Sequence, residues 1–324
     1  MLEFNSANIR MWARLGSCGA FGAAMMAQAE EDKNLAILTA DLCFYSGLSR
    51  VNQQYPDKVY NVGIAEQNMV GIAAGMAKEG MNVFATTYAT FASTRCSDQV
   101  RVNMGYMQLP IKLVGLTAGL CVGILGGTHI SCEDISILRS IPNIVVLSPA
   151  DCTETVKATL AAAKVNKPVY LRLTGSMGNP IVYNSDYDFE IGKAIRLRTG
   201  NDISIIATGT MVAKAIKVAD RMKEQNINCS VYDMHTIKPL DKEAIKNCLT
   251  SKLIVTIEEH SVVGGLGSAV SEEIVQYKSK PSLLSLGIND SFAHAADYAY
   301  LLKSYGLDEE SLFNSINQKY SEIK

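Results

Sequence analysis

Short apolar runs alternate along the chain with longer stretches whose apolar positions recur at helical spacing. In the first half, this spacing predicts helices over residues 10–31, 66–78, 91–107 and 152–164. The apolar runs have the length of strands and cover residues 35–40, 58–62, 81–86, 111–116, 144–148 and 168–173. Continuous apolar runs between helices are typical of parallel strands that are buried on both faces. We therefore predict an α/β fold with a mainly parallel sheet flanked by helices.

The alternation breaks at residues 174–191, where glycines, a proline and a mixture of acidic and aromatic residues fit a linker better than a helix or strand. Beyond this break, the α/β alternation resumes. It consists of apolar runs at 203–209, 229–234, 253–259 and 282–287, a helix that ends at Lys223 and a helix that begins at Gly267. We therefore expect two α/β domains, at residues 1–175 and 192–324, joined by a linker at 176–191.

Composition narrows the classes of function. The 30 Lys and Arg residues against 32 Asp and Glu residues give a net charge of −2, so no positive field exists to hold a nucleic acid. The sequence shows neither an apolar run of about 18 residues nor a secretory signal, so we expect a cytoplasmic protein without membrane contact. The eight cysteines form no CxxC pair, which argues against a metal site in this chain. Hydrophobic residues make up 48% of the chain, which indicates an oligomer.

Residues 61–80, NVGIAEQNMVGIAAGMAKEG, are the most informative stretch for chemistry. A strand end and a glycine turn lead into a helix that begins at Glu66. An acid at a helix N-terminus often lies there only because the helix dipole favours it. The helix behind Glu66, however, carries Gly71, Gly75 and several alanines, and such small residues let another backbone approach closely. We therefore expect Glu66 to lie at a contact between subunits.

Several motifs, taken in chain order, resemble a transketolase. They are NVGIAEQNMVGIAAG, TTYATFASTRCSDQVR, GGTHIS, IPNIVVLSPAD, PVYLRL and EEHSVVGGLGSAV. The match runs in order over nearly all of the chain and is closest to the C-terminal subunit of split, two-chain transketolases. The resemblance implies a pyrimidine-binding domain for thiamine diphosphate, followed by a transketolase C-terminal domain.

The resemblance implies a role for each matching residue. Glu66 takes the place of the glutamate that hydrogen-bonds N1′ of the thiamine aminopyrimidine and so activates the cofactor. Tyr88 and Phe91 match aromatic residues around that ring, and Asp41 matches a residue beside the cofactor. His129 matches a catalytic histidine that faces substrate oxygens and can donate a hydrogen bond to a developing alkoxide. From the residues alone, Tyr88 and Phe91 could be core residues, Asp41 a turn acid and His129 a structural histidine, although the glycines beside His129 favour a functional one.

One half of the cofactor site that the resemblance implies is missing from the sequence. In the family, a GDG motif followed by an asparagine holds the diphosphate and its divalent cation, and GDG occurs nowhere in this chain. The glycines after His260 offer an alternative phosphate cradle, but the resemblance makes that segment structural. We therefore expect thiamine diphosphate and Mg²⁺ or Ca²⁺ to be shared with an N-terminal transketolase subunit that carries the GDG domain and binds the metal, in an α2β2 assembly.

The substrate side departs from the family pattern. Ile124 and Leu125 stand where an acidic pair is usual, Thr117 replaces a histidine and Cys18 aligns with an arginine. A further expected arginine falls within residues 174–176, Thr-Gly-Ser. Losing up to three charge-assisted hydrogen bonds of about 1.5–3 kcal/mol each would remove most affinity for a terminal phosphate. We therefore expect two-carbon ketol transfer on an atypical sugar substrate, such as a nucleotide-linked keto sugar or a free ketose.

Two arginines, Arg95 and Arg172, remain as candidate contacts for an anion, although either could be solvated or salt-bridged. A small insertion near Ser93 leaves the register of Arg95 open. The residues that we predict to contact substrate are His129, Leu125, Arg95 and Thr117.

Two other functions stay open at the level of sequence. Relatives that begin with pyruvate, such as 1-deoxyxylulose-phosphate synthase or the β subunit of pyruvate dehydrogenase, share Glu66 and the same architecture. A non-catalytic scaffold with a decayed site would explain the lost phosphate ligands. Retention of Glu66, Tyr88, Phe91 and His129 argues against decay.

Overall fold

The computed structural model describes residues 2–323 and places their strands in two sheets. The first sheet contains β1 (Leu35–Thr39), β2 (Val59–Asn61), β3 (Asn82–Tyr88), β4 (Lys112–Ala118), β5 (Val145–Leu147), β6 (Val169–Thr174) and β10 (Thr236–Lys238). The strand order is β10-β5-β6-β4-β3-β1-β2, and every neighbouring pair is parallel except β10 with β5.

The second sheet is smaller. It contains β7 (Ile195–Arg198), β8 (Ile203–Ala207), β9 (Cys229–Asp233), β11 (Leu253–Ser261) and β12 (Ser282–Ile288). The order is β12-β11-β8-β9-β7, and only the edge strand β7 pairs antiparallel. Strands β8 and β9 are buried along their whole length, as is typical of parallel strands covered on both faces.

Helices cover both sheets. Those before the second sheet are α1 (Ser6–Glu31), α2 (Ser49–Gln54), α3 (Glu66–Lys78), α4 (Ser97–Val100), α5 (Asp134–Ser140) and α6 (Cys152–Lys164). Those that follow are α7 (Met211–Lys223), α8 (Lys242–Cys248), α9 (Leu266–Ile274), α10 (Tyr298–Ser304) and α11 (Glu309–Ile323). No helix among residues 2–323 is long and apolar enough to cross a membrane.

The predicted α/β class with two mainly parallel sheets is confirmed. Helices α3 and α6 begin and end at the predicted residues. The prediction of one continuous helix over 91–107 is wrong, because this segment consists of π-helical turns at Phe91–Arg95 and Arg101–Tyr106 on either side of α4. A π-helical turn accommodates one extra residue within a helix, which fits the insertion seen near Ser93.

The two predicted domains share structure across their junction. Strand β10 comes from the second half of the chain but pairs with β5 at the edge of the first sheet. The segment between β6 and β7 contains no helix or strand, yet its Tyr183 is buried between the two halves. The carboxyl ends of β1, β3 and β4 lie side by side in the half of the first sheet that is farther from β10. Residues that follow these strands therefore meet at one edge.

Candidate active site

The predicted site residues lie at the carboxyl edge of the first sheet. Tyr88 is the last residue of β3, and Phe91 follows it in the first π-helical turn. Glu66 begins α3 directly after the β2 loop, and His129 follows a short 3-10 turn at residues 123–128. The crevice outside the carboxyl ends of parallel strands is where α/β sheets bind ligands. The order of the strands therefore explains why residues distant in sequence come together here.

Three rings form the centre of the site. The ring centroids of Tyr88 and Phe91 are 5.8 Å apart, and that of His129 lies 5.6 Å from Tyr88 and 5.4 Å from Phe91. All three pairs meet edge to face, the arrangement that aromatic quadrupoles favour. The hydroxyl of Thr128 shares a 2.9 Å hydrogen bond with Nδ1 of His129. Each of the three rings is half-buried, so each keeps a surface that a ligand can reach.

Glu66 connects to these rings through Arg95. The Glu66 carboxylate is only 3% exposed, and its Oε1 accepts a 2.7 Å hydrogen bond from Nη1 of Arg95. The guanidinium of Arg95 lies 3.9 Å from the ring centroid of Phe91. The side chain of Gln67 donates to the Arg95 carbonyl at 3.0 Å. Glu66, Arg95, Phe91, Tyr88 and His129 therefore form one continuous cluster, which we call the acid–aromatic cluster.

Asp41 stands apart from the acid–aromatic cluster. Its carboxylate accepts a 2.9 Å hydrogen bond from the amide of Asn61, whose own oxygen accepts from the backbone nitrogens of Asp41 and Gly63 at 3.0 Å. This exchange joins the ends of β1 and β2, and Asp41 remains exposed beside it. Asn61 was not singled out from the sequence, although an asparagine at a strand end, two residues before a glycine, is a common turn signal.

The predicted substrate face contains few charges. Leu125 and Ile124 are 44% and 76% exposed on the turn before His129. Burial raises the pKa of the Cys18 thiol to about 11, and the backbone of Thr117 lies within hydrogen-bond reach of that thiol. Burial also raises the pKa of the Cys121 thiol, with the nearby Glu259 carboxylate adding to the effect. Both thiols are therefore neutral at physiological pH.

Arg172 is not available to bind an anion, because it forms a salt bridge, which is one of the alternatives that the sequence left open. Its side chain is 1% exposed, donates to Asp134 Oδ2 at 2.8 Å and to the Glu259 carbonyl at 2.9 Å. Although burial disfavours the charged carboxylate, the positive charge of Arg172 holds the pKa of Asp134 below its usual value. The strand pattern PVYLRL could not reveal this partner, because Asp134 lies on a different element.

His260 joins the same buried group. Its Nε2 accepts a hydrogen bond from the Ile135 backbone nitrogen at 3.2 Å, and burial lowers the pKa of its imidazole to about 4. A neutral imidazole that fixes the start of α5 serves the structure of the domain junction, in agreement with the structural role expected for this segment.

The acid–aromatic cluster fits a planar heteroaromatic ring with a hydrogen-bonding edge. A buried carboxylate supplies the polar contact, and the rings of Phe91 and Tyr88 supply apolar walls. Within residues 2–323, no three His, Cys, Asp or Glu side chains come close enough together to hold a metal ion. Large apolar side chains at the same edge of the sheet are exposed, among them Phe44 at 77% and Ile64 at 77%. Such a surface is typical of a protein contact.

Two family patterns match the sequence. The first, "Transketolase, pyrimidine binding domain", matches residues 17–179, and the second, "Transketolase, C-terminal domain", matches residues 192–312. Both matches agree with the predicted resemblance, which is thereby confirmed.

Individual proteins are similar over most of the chain. One from Methanocaldococcus jannaschii, named as a transketolase C-terminal section, is 39% identical over 92% of this chain and 94% of its own length. A 6-deoxy-6-sulfo-D-fructose transketolase subunit from Clostridium sp. (strain MSTE9) is 37% identical over 91% of each chain. A 1-deoxy-D-xylulose-5-phosphate synthase from Caldanaerobacter subterraneus is 35% identical over 94% of this chain, which spans 49% of that protein.

A solved structure shares the whole fold. It is described as a split gene transketolase, inactive beta4 tetramer, and it superposes with a TM-score of 0.86. The superposition covers 96% of this chain and 99% of that one, at 33% sequence identity.

Proposed function

The chain belongs to the transketolase family, and we propose that it is the C-terminal subunit of a split, thiamine diphosphate-dependent enzyme that transfers a two-carbon ketol unit. The observation that carries this proposal is the acid–aromatic cluster, in which Arg95 links Glu66 to the rings of Phe91, Tyr88 and His129 at the carboxyl edge of the first sheet. That combination offers both a ring site and a hydrogen-bonding histidine in one open crevice.

Each residue of the site has its own role in this proposal. Thiamine diphosphate, when bound, supplies a nucleophilic carbon that adds to a substrate carbonyl. Glu66 would hydrogen-bond the N1′ edge of the aminopyrimidine, and Phe91 and Tyr88 would enclose that ring. His129 would donate a hydrogen bond to the substrate oxygen on which negative charge develops. Asp41, at the neighbouring strand end, would lie beside the cofactor at the contact with the partner subunit.

The partner in this proposal is an N-terminal transketolase subunit in an α2β2 assembly. That subunit would hold the diphosphate and Mg²⁺ or Ca²⁺, since hard cations need clustered oxygen ligands and the described residues offer no such cluster. Three features of this chain support it, namely the exposed apolar residues at the site edge, the open small-residue face of α3 and the absence of GDG from the sequence. The similar structure of an inactive β4 tetramer is consistent with a chain that needs its partner.

The proposed substrate is a sugar whose far end is not held by cationic residues of this chain at the usual positions. Thr117, Cys18 and residues 174–176 (Thr-Gly-Ser) occupy those positions and carry no charge at physiological pH. One relative is named for a sulfonated ketose, 6-deoxy-6-sulfo-D-fructose, which is likewise not a sugar phosphate. Arg95 would be the only cation of the acid–aromatic cluster that could meet an anionic substrate.

Pyruvate-dependent chemistry is the second candidate, because a 1-deoxy-D-xylulose-5-phosphate synthase matches almost the whole chain. A donor screen separates the two candidates. Ketol transfer requires a ketose donor and releases a shortened aldose, whereas the alternative requires pyruvate and releases carbon dioxide.

The test is to co-purify the chain with its candidate N-terminal subunit and titrate thiamine diphosphate with Mg²⁺ by calorimetry. We expect binding by the pair, weak or no binding by either chain alone, and loss of more than about 100-fold in turnover in Glu66→Gln. Glu79→Gln, an exposed acid at the end of the same helix, is the matched control and should retain full activity. Failure of the wild-type pair to bind would favour the scaffold interpretation.

A further inference from the structure

Arg95 makes two of the contacts that the proposed function assigns to the cofactor ring, those with Glu66 and Phe91. Its Nη1 donates to Glu66 Oε1 at 2.7 Å, and its guanidinium carbon lies 3.9 Å from the centroid of the Phe91 ring. On the basis of the proposed function, we infer that Arg95 is a displaceable placeholder, which fills the aminopyrimidine position in the free chain and must leave before the cofactor can enter.

The chemistry of the guanidinium group explains how it can take the place of the cofactor ring. It is planar and delocalised, stacks on aromatic faces and donates to carboxylates from its edge. An aminopyrimidine is likewise planar and delocalised, stacks on aromatic faces and hydrogen-bonds a carboxyl group along its N1′ edge. A ring that lay on this face of Phe91 and bonded to Glu66 Oε1 would overlap the Arg95 guanidinium, so the two cannot occupy these contacts together.

The local backbone holds Arg95 in place while leaving its side chain free to move. The π-helical turn that contains it is fixed by the hydroxyls of Ser93 and Thr94, which donate to the carbonyls of Ala89 and Thr90 at 2.8 and 2.5 Å. Gln67 holds the Arg95 carbonyl itself. The Arg95 side chain, in contrast, is 44% exposed and can swing into solvent without disturbing the helix.

The placeholder has a consequence for the free chain and another for the assembled enzyme. In the free chain, it satisfies a carboxylate that is only 3% exposed and that would be costly to leave buried without a partner. In the assembled enzyme, the same contact competes with the cofactor and lowers its apparent affinity, because only molecules with Arg95 displaced can bind.

The first test measures cofactor affinity in the assembled enzyme by calorimetry with thiamine diphosphate and Mg²⁺. Arg95→Ala should bind about two- to fivefold more tightly than wild type, the factor expected for losing a partly exposed ion pair. Arg95→Lys, which keeps the charge but cannot stack as a planar group, should lie between. Arg101→Ala removes an exposed arginine from the same segment and should match wild type. Unchanged or weaker binding in Arg95→Ala would overturn the proposal, since an arginine that positions the cofactor would strengthen its binding.

The second test uses the free chain and needs no activity. Arg95→Ala should lower the melting temperature in the wild-type background but have little effect when Glu66 is already Gln, because the ion pair is then lost. Equal effects in both backgrounds would show that the two residues are not coupled and would reject the placeholder. If the wild-type assembly binds no cofactor at all, the proposed function fails, whereas wild-type binding without a gain in Arg95→Ala rejects the placeholder alone.

Discussion

Thr117 has a backbone conformation that its side chain disfavours. It lies near the end of β4 with φ of 52°, in the left-handed region, where a branched Cβ clashes with the neighbouring carbonyl. Its hydroxyl bonds only to the preceding carbonyl, that of Leu116 at 2.8 Å, which does not explain the conformation. Strained residues of this kind concentrate at functional sites, and Thr117 is one of the residues that we predict to contact substrate.

We expect Thr117→Gly to stabilise the chain by about 1 kcal/mol, because glycine adopts positive φ without the steric cost that a branched residue meets there. Chemical denaturation of the free chain would measure the change. Thr199→Gly is the matched control, since Thr199 is exposed and does not have positive φ, and it should destabilise by about 0.5–1 kcal/mol through backbone entropy. A loss of stability in Thr117→Gly equal to that of the control would show that no strain is stored at Thr117.

Single residues also show where sequence reasoning stops. The placement of Glu66 at the first residue of a helix was predictable, because a glycine turn and an amphipathic repeat bracket it. The ion pair of Glu66 with Arg95 was not predictable. The insertion near Ser93 sets the direction of the Arg95 side chain, and the π-helical turn that accommodates this insertion does not change the hydrophobic pattern. For a similar reason, the sequence could not decide between an anion contact and a salt bridge for Arg172, since its partner Asp134 belongs to a short helix that was not predicted.

Among the helices, α3 presents an unusual face. Gly71 and Gly75 are exposed on it, and a Cβ added at either position would meet no atom of residues 2–323 within 4 Å beyond the nearby backbone of its own helix. Inside a helix, glycine is less stable than alanine by roughly 0.5–1 kcal/mol. The chain therefore keeps two destabilising residues where its own fold does not need them, which supports a close contact with another subunit at this face.

We expect alanine at Gly75 to have opposite effects in the free chain and in the assembled enzyme. Gly75→Ala should stabilise the free chain by about 0.5–1 kcal/mol, as alanine does in an open helical position. In the presence of the N-terminal subunit, the added methyl group should weaken assembly, which analytical ultracentrifugation would detect as a raised dissociation constant. Assembly as tight as that of wild type would mean that α3 does not pack against the partner at this position.

The pairing of α1 with the turn after β1 gives a contrasting case. A Cβ at Gly22 would lie 2.1 Å from the Gly47 carbonyl oxygen, so the two backbones touch directly. Gly22→Ala should therefore destabilise the free chain by about 1–3 kcal/mol, the usual cost of overpacking. The same denaturation experiment as for Gly75→Ala measures it. If Gly22→Ala destabilises the free chain and Gly75→Ala stabilises it, then Gly22 is required by the chain's own fold and Gly75 is not.

Elements differ in how well the sequence predicted them. The bounds of α3 and α6 were correct because each has a clear start, and Asp151 caps α6 by accepting from the Glu154 backbone nitrogen at 2.8 Å. Strand β10 was missed because three residues carry no periodicity and their pairing with β5 depends on the tertiary fold. The helices α10 and α11 were also not predicted, although α11 is an amphipathic helix with a capping acid before it, Asp308.

At the scale of the molecule, two carboxyl groups lie buried together where the two halves meet. Glu154 comes from α6 and Asp233 from the end of β9, and both are fully buried, near enough for their charges to repel. The hydroxyl of Tyr183 donates to Asp233 at 2.6 Å, and that of Tyr187 donates to Glu154 at 3.0 Å. The two linker tyrosines stack with their ring centroids 4.0 Å apart. The linker therefore joins both halves through one polar cluster, with Asp151 holding its backbone.

Burial raises the pKa of both carboxyl groups, that of Asp233 to about 7 and that of Glu154 well above its usual range, with the repulsion of Asp233 adding to the effect on Glu154. The folded state therefore binds more protons here than the unfolded state does. The contribution of the two carboxyl groups to the free energy of unfolding is fully present below the ordinary carboxyl pKa of about 4, and it declines as the pH rises towards about 7.

We therefore expect Asp233→Asn to flatten the pH dependence of stability and to be more stable than wild type above pH 7. The amide oxygen can still accept from Tyr183, and the amide nitrogen can donate to Glu154, which would then lie among three donors, Tyr187, the backbone of Ala150 and the new amide. Above pH 7, the free energy of unfolding should rise by an amount on the order of 2–4 kcal/mol, as expected for a pKa shift of the size found at Asp233.

The measurement is the free energy of unfolding of the free chain by urea between pH 5 and about pH 8, for wild type, Asp233→Asn and the control Asp188→Asn. Subtracting the control removes the general effect of losing one acidic residue, since Asp188 is an exposed acid of the same linker. The difference between Asp233→Asn and wild type should grow as the pH rises through the window of about 4 to 7 and then level off. A constant difference across this range would mean that the pair is ionised alike in the folded and unfolded chains. The junction would then owe its stability to the packing of Tyr183 and Tyr187 and not to a proton held between the two halves.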